Sequence, residues 1–211
     1  MAERPAYFVS NSKVTVKSYS FEWFAGFAVS QKQKSIDSLH GAILRSDSNA
    51  KPLEISTKSK NSLGVKLSAF NLKLNGYTLE NIYQSSKVFT GGGAYRDLLD
   101  VLPKDAKRDP RLKNSGALKY FDYNGDIFPL FPQTVFYDYI YMKAVKESLT
   151  DEEIQKIRDY NYFTDIEFNP NKSVNTQAKS VAIIRLMLDM YNDIPDFNKD
   201  DFIAFHSKYV L

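Results

Sequence analysis

Between Leu67 and Phe89 the chain reads LSAFNLKLNGYTLENIYQSSKVF, and the Asn75-Gly76 pair in this stretch leaves the backbone few options. Both residues tolerate the left-handed conformation that a two-residue hairpin turn demands, so the flanking segments are expected to pair as short strands. An apolar turn, Leu67-Ser68-Ala69-Phe70, precedes the hairpin. One strand is expected near Val65 to Phe70 and another near Asn71 to Leu74. Beyond the turn, Thr78 fits a helix N-cap, and the spacing of Ile82, Ser85, Ser86 and Phe89 predicts a helix over 78–89. That helix carries Glu80 beside Tyr83, Gln84 and Lys87. An acid among aromatic, amide and amine groups is what the hydrolysis of a sugar–base bond needs.

The remaining periodicity predicts an α+β chain, helix-rich, built as a single domain around a small sheet. Residues 6–27 read as extended pieces, with Val14, Val16 and Tyr19 on one alternation and an aromatic cluster, most simply core, at Phe21, Trp23 and Phe24. Ser30 and Gln33 have the spacing of a capping box for a helix over 30–45, whose apolar stripe is Ile36, Leu39, Ile43 and Leu44. Pro52 to Ser56 is an expected strand, followed by a polar loop. Gly91-Gly92-Gly93 is expected to stop the Glu80 helix, and the proline- and charge-rich stretch 103–134 reads as a long ordered loop. A helix over 136–148, a second capping box at Thr150 and Glu153, a strand at 163–168, a helix over 176–191 and a final one at 198–210 complete the reading. The sheet is expected from the pieces around 53–74 and 163–168.

Composition removes several classes of chemistry. The chain has no cysteine, so disulfides, thiol nucleophiles and thiolate zinc sites are out. Its two histidines, His40 and His206, lie far apart in sequence, and no metal or cofactor is expected. No apolar run approaches the roughly 20 residues of a membrane span, and the N-terminus lacks a signal-peptide pattern, so the cytoplasm is the expected location. A net charge of +3 permits nucleic-acid contact without the concentrated basic footprint of a dedicated binder. The 14 tyrosines and 15 phenylalanines exceed what core filling requires, and tyrosine suits pockets that stack planar rings.

Over residues 55–89 the chain resembles the NADAR family (the YbiA-like superfamily). The segments that carry the resemblance are Ile55-Ser56-Thr57, Leu67-Ser68-Ala69-Phe70, Asn75-Gly76, and Leu79-Glu80-Asn81-Ile82-Tyr83-Gln84-Ser85-Ser86-Lys87-Val88-Phe89. Ala69 stands where the family has asparagine. Tyr137-Asp138 and the run from Asn175 to Leu186 extend the likeness. The segments Gln31 to Ile36 and Gly91 to Leu99 are similar to the branch paired with DarT-type DNA ADP-ribosyltransferase toxins. The resemblance implies an antitoxin enzyme that removes ADP-ribose from guanine bases of DNA, with ADP-ribosylated guanine as substrate, ADP-ribose as product and a cognate toxin as partner.

Cleaving such a bond builds positive charge on the sugar, which Glu80 is expected to stabilise while helping the base to leave. Lys32 falls on the apolar stripe four residues before Ile36 and Lys34 on the polar face. A desolvated amine at either position could form a Schiff base with the opened sugar, or act as a base, and Lys32 is the first choice. Asp138 could position water or ribose hydroxyls, with Tyr137 stacking on a ring. Ser56, Lys58 and Arg96 suit a diphosphate, Phe70, Tyr83, Gln84, Lys87 and Asn175 complete the expected substrate contacts, and Asp165, Glu167 and Asn175 around Lys172 could meet ribose or magnesium. His40 reads as a hydrogen-bonded core residue. Two other functions remain open: a non-catalytic module that binds the toxin or ADP-ribose, and an N-glycosidase acting on a riboflavin-pathway metabolite.

Overall fold

The computed structural model describes residues 1–171 and 173–210. The fold is α+β, with small sheets between helices. The extended N-terminal reading resolves into a hairpin of β1 (Ala2–Ser10) and β2 (Lys13–Phe21), turned through Asn11 and Ser12 at φ 50° and 55°. Helix α1 (Val29–Ser46), strand β3 (Pro52–Glu54) and the one-turn helix α2 (Ser62–Lys66) follow. The hairpin β4 (Lys73–Leu74) and β5 (Tyr77–Thr78) then leads into helix α3 (Leu79–Ser85). After β6 (Lys87–Phe89) and β7 (Gly92–Gly93) come the short helices α4 (Pro103–Arg108) and α5 (Arg111–Asn114), and the hairpin β8 (Leu118–Tyr123) and β9 (Asp126–Phe128). Helices α6 (Val135–Ser148) and α7 (Asp151–Gln155), strand β10 (Tyr162–Thr164), and helices α8 (Gln177–Tyr191) and α9 (Lys199–Tyr209) finish the chain. No described helix is long and apolar enough to cross a membrane.

One sheet has the order β2-β1-β10-β3, antiparallel except for the parallel β10–β3 pair. Its two faces feed two cores, because successive side chains of a strand point to opposite sides. Tyr19 and Phe21 pack with Ile36, Leu39 and Ile43 of α1, whereas Val14 joins the larger core of α6 and α8. Val14 and Tyr19 therefore serve opposite faces, and Val16 is 52% exposed. From Ala178 to Leu188 every residue of α8 except Arg185 is buried. Burying each large aliphatic side chain there stabilises the fold by roughly 1.5–3 kcal/mol.

Local chemistry explains where the elements depart from sequence periodicity. Asn75 and Gly76 adopt φ 52° and 80° and join β4 to β5, as the hairpin signal required. Thr78 caps α3 by accepting from the backbone N–H of Asn81, and Thr150 with Glu153 forms a full capping box on α7. Ser30 does not cap α1. Ala28 holds that position, and the Gln33 amide turns away to the Lys58 carbonyl at 3.4 Å. The stretch read as a strand from Val65 begins instead inside α2, capped by Asn61. Helix α3 stops at Ser85, and Lys87–Phe89 pairs with β8 in a second sheet of order β7-β6-β8-β9. The triple glycine is thus a β-turn device. A Cβ on Gly93 would lie 2.3 Å from the Lys87 carbonyl oxygen, so only glycine admits that pairing. Residues 103–134, expected as a loop, hold α4, α5, β8 and β9.

Candidate active site

Seven residues suffice to aim α3. Leu79 and Ile82 are buried, and with Thr78 as cap they turn Glu80, Tyr83, Gln84 and Lys87 toward one side. Gln84, itself buried, links two charges: its Nε2 donates to Glu80 Oε1 at 2.6 Å, and its Oε1 accepts from Lys87 Nζ at 2.7 Å. Glu80 keeps 29% of its side chain exposed, with Lys107 Nζ 3.5 Å from its second oxygen. Lys87 Nζ lies 4.7 Å from the Tyr83 ring centroid, and burial lowers its pKa to about 8 against the upward pull of Glu80. Tyr83 meets Tyr137 edge-on at 5.7 Å and is hydrogen-bonded with the Asn175 side chain.

Across the tyrosines stands a second polar group. Lys32, from the first turn of α1, has only 16% of its side chain exposed. Its Nζ lies 3.3 Å from Glu167 Oε1 and 4.8 Å from the centre of Trp23. The Glu167 backbone N–H in turn donates to Asp165 Oδ1 at 3.2 Å. Asp165 is buried, and desolvation, with the nearby Glu54 charge, raises its carboxyl to about 7 despite hydrogen bonds from Gln177 and two backbone amides. The Tyr137 phenol joins the two halves. Burial pushes its pKa well above the usual range, and Asp165, Asp138 and Glu80 push it further. A carboxyl that titrates near neutrality, next to an amine–carboxylate pair, can hold or release a proton during a reaction at ordinary pH.

The sequence matches the family described as DarT1-associated NADAR antitoxin over residues 2–210, nearly its whole length. The chain belongs to that NADAR antitoxin family. No curated protein matches it. N-glycosidase-type hydrolysis is the chemistry known for NADAR proteins, and the family description ties this one to a DarT1 toxin.

In this NADAR chain ten of the expected site residues fall into three groups. Glu80, Lys32, Tyr83, Gln84, Lys87, Tyr137 and Asn175 contribute to the two connected clusters just described. Phe70 stands at the edge, 76% exposed, next to Ala69, whose N–H donates to Gln177 Oε1 at 2.8 Å. Ser56 lies beneath: it is buried, accepts from the Lys58 N–H at 3.2 Å and hydrogen-bonds Glu54. Lys58 is half-buried beside it.

Three expectations change. Lys34 points to solvent, because it lies 200° around α1 from Lys32. Arg96 pairs with Asp122 at 2.8 Å and lines a hollow of about 60 Å³ with Ile82, Ser85 and Ser86, the face of α3 opposite Glu80. Asp138 is fully engaged inside the protein rather than facing substrate. It accepts from Thr134 Oγ1 and Ser180 Oγ, both at 2.6 Å, and from His206 Nε2 at 3.0 Å. Burial raises its pKa, but the His206 bond and the Lys179 charge outweigh that and hold it below the usual carboxylate range.

Asp165 and Trp23 carry more than the sequence suggested. The sequence marks Asp165 as an acid that, with Glu167 and Asn175, could meet ribose or magnesium, and Trp23 as core. Trp23 is in fact half-buried between two cations, Lys32 and Arg4. The signal for Asp165 was its place directly after the buried strand β10, where an acid is desolvated by its neighbours. Lys172 lies outside the described residues. Among the described residues no three histidine or acidic side chains group to hold a metal ion. His40, as expected, is hydrogen-bonded in the interior: Thr164 donates to Glu54 Oε2 at 2.6 Å, leaving His40 Nε2 as the donor to Thr164 Oγ1 at 2.9 Å.

Proposed function

We propose that this protein hydrolyses the N-glycosidic bond between ADP-ribose and guanine in DNA, reversing in the cytoplasm the modification made by its DarT1 toxin. The reading is carried by one observation. In a chain matched to the toxin-associated NADAR family, the Lys32–Glu167 pair adjoins a carboxyl, Asp165, poised near neutrality. The furanose ring opens as the guanine nitrogen's electron pair forms a double bond to the anomeric carbon and the ring oxygen takes a proton from solvent. The Lys32 amine, its proton passed to Glu167, then adds across that carbon–nitrogen double bond. The bond to guanine breaks as Asp165 protonates the departing base, leaving a lysine imine. Water hydrolyses the imine, releasing ADP-ribose and restoring the amine. Glu80, held by Gln84, offsets the positive charge that develops at the sugar.

The test is incubation of the protein with an ADP-ribosylated oligonucleotide and measurement of free ADP-ribose. Borohydride added during turnover should fix an ADP-ribosyl mass on Lys32. Retained turnover in both Lys32→Ala and Glu80→Gln would remove the site assignment. Binding without release would leave a non-catalytic antitoxin.

A further inference from the structure

Beside the Lys32 cluster a cleft of about 400 Å³ opens between the start of the β1–β2 hairpin and residues 169–171. Its size falls within the roughly 300–1,000 Å³ range of small-molecule sites. Arg4, Ser18, Asn169 and Asn171 line it, together with Glu3, an exposed side chain. Arg4 is conspicuous for what it lacks. Among the described residues it makes no ion pair, its one side-chain hydrogen bond runs from Nη1 to the Glu3 carbonyl at 2.9 Å, and its Nε is shielded from water without a partner. A guanidinium with no ion-pair partner in a polar cleft, its Nη2 making no hydrogen bond to any described residue, can take a phosphate oxygen. Asn169 uses its side-chain oxygen on the Asn171 N–H at 3.0 Å, which leaves its amide hydrogens as further donors.

Trp23 fixes the distance between this cleft and the chemistry. Arg4 Cζ lies 5.3 Å from the indole centre and Lys32 Nζ lies 4.8 Å from it, so the two cations are within about 10 Å of each other. In an ADP-ribosyl group the nearer phosphorus is five bonds from the anomeric carbon in the closed ring and six in the opened sugar. The phosphates of a sugar reacting at Lys32 are therefore within reach of Arg4.

We propose that this cleft is the diphosphate-binding arm of the site, with Arg4 as its principal anion contact and Asn169 and Asn171 as donors along the nucleotide beyond it. The proposal deepens the hydrolase reading and rests on it. Phosphate oxygens could also come from the DNA strand, and the experiment separates the two sources.

Calorimetric titrations with ADP-ribose and with an unmodified single-stranded oligonucleotide would be compared for wild type, Arg4→Gln and Asn171→Asp. Asn171 is exposed in a turn, so its variant keeps the test alive should Arg4→Gln unfold. The expected result is an ADP-ribose affinity weakened about tenfold or more in both variants, with oligonucleotide affinity unchanged. Weakened oligonucleotide binding alone, or unchanged ADP-ribose affinity, would overturn the proposal and leave the hydrolase reading intact. A wild-type protein that neither binds nor releases ADP-ribose would bring down both.

Discussion

Gln84 holds Glu80 by a 2.6 Å hydrogen bond between side chains one helical turn apart on α3. The amide is buried and its other end takes the Lys87 ammonium, so it acts as a spacer that keeps acid and amine from closing directly on each other. Replacing Gln84 with Leu should leave both charges without that neutral partner. Loss of one hydrogen bond to a charged group is about 1.5–3 kcal/mol, hence a fall in kcat of about tenfold or more with a smaller change in KM. Steady-state kinetics on modified DNA would check it, and an unchanged kcat would show that Gln84 does not position Glu80 for the reaction.

Asp165 gives a pH signature in activity and in stability. As the proton donor, with a pKa near 7, it should make turnover fall as pH rises through about 7. A raised carboxyl means that the folded state binds the proton more tightly than the unfolded chain. Folding stability contributed by this group therefore declines from its ordinary range near 4 up to about 7, and the penalty is complete above that. Asp165→Asn should abolish turnover yet raise the melting temperature at pH 8. A variant equally inactive but destabilised at pH 8 would contradict the desolvation account.

His40 behaves in the opposite sense. Burial lowers its pKa to about 4, so the unfolded chain takes up a proton first as the pH falls. Stability should drop between about 6.5 and 4, and His40→Gln should flatten that part of the curve. Denaturant midpoints at several pH values would measure both slopes, and parallel curves would exclude His40 as their source.

Asp138 is expected to support the fold rather than the chemistry. It ties α6 to α8 and α9 through Ser180 and His206. Asp138→Ala strands buried donors and should cost about 3–5 kcal/mol of stability. Asp138→Asn should lose less and keep substantial turnover at low temperature. Chemical denaturation alongside the release assay distinguishes these effects, and a folded, inactive Asn variant would restore Asp138 to the site.

The sequence by itself determined the local events. Asn75-Gly76 made a turn, Thr78 started a helix, Thr150 and Glu153 formed their reciprocal cap, and α8 showed its apolar length, because each depends on backbone sterics and hydrogen bonds within a few residues. The family resemblance marked Glu80 and Lys32 for the same local reason, a motif contiguous in the chain. Only the tertiary structure decided that Lys87 begins a strand, that Arg96 faces the back of α3, and that Asp138 is spent on His206. Only it brought Lys32 beside Glu167 and set both Lys32 and Arg4 against Trp23. Desolvation and Coulomb interaction depend on distances between segments far apart in sequence, and those distances exist only once the chain has packed.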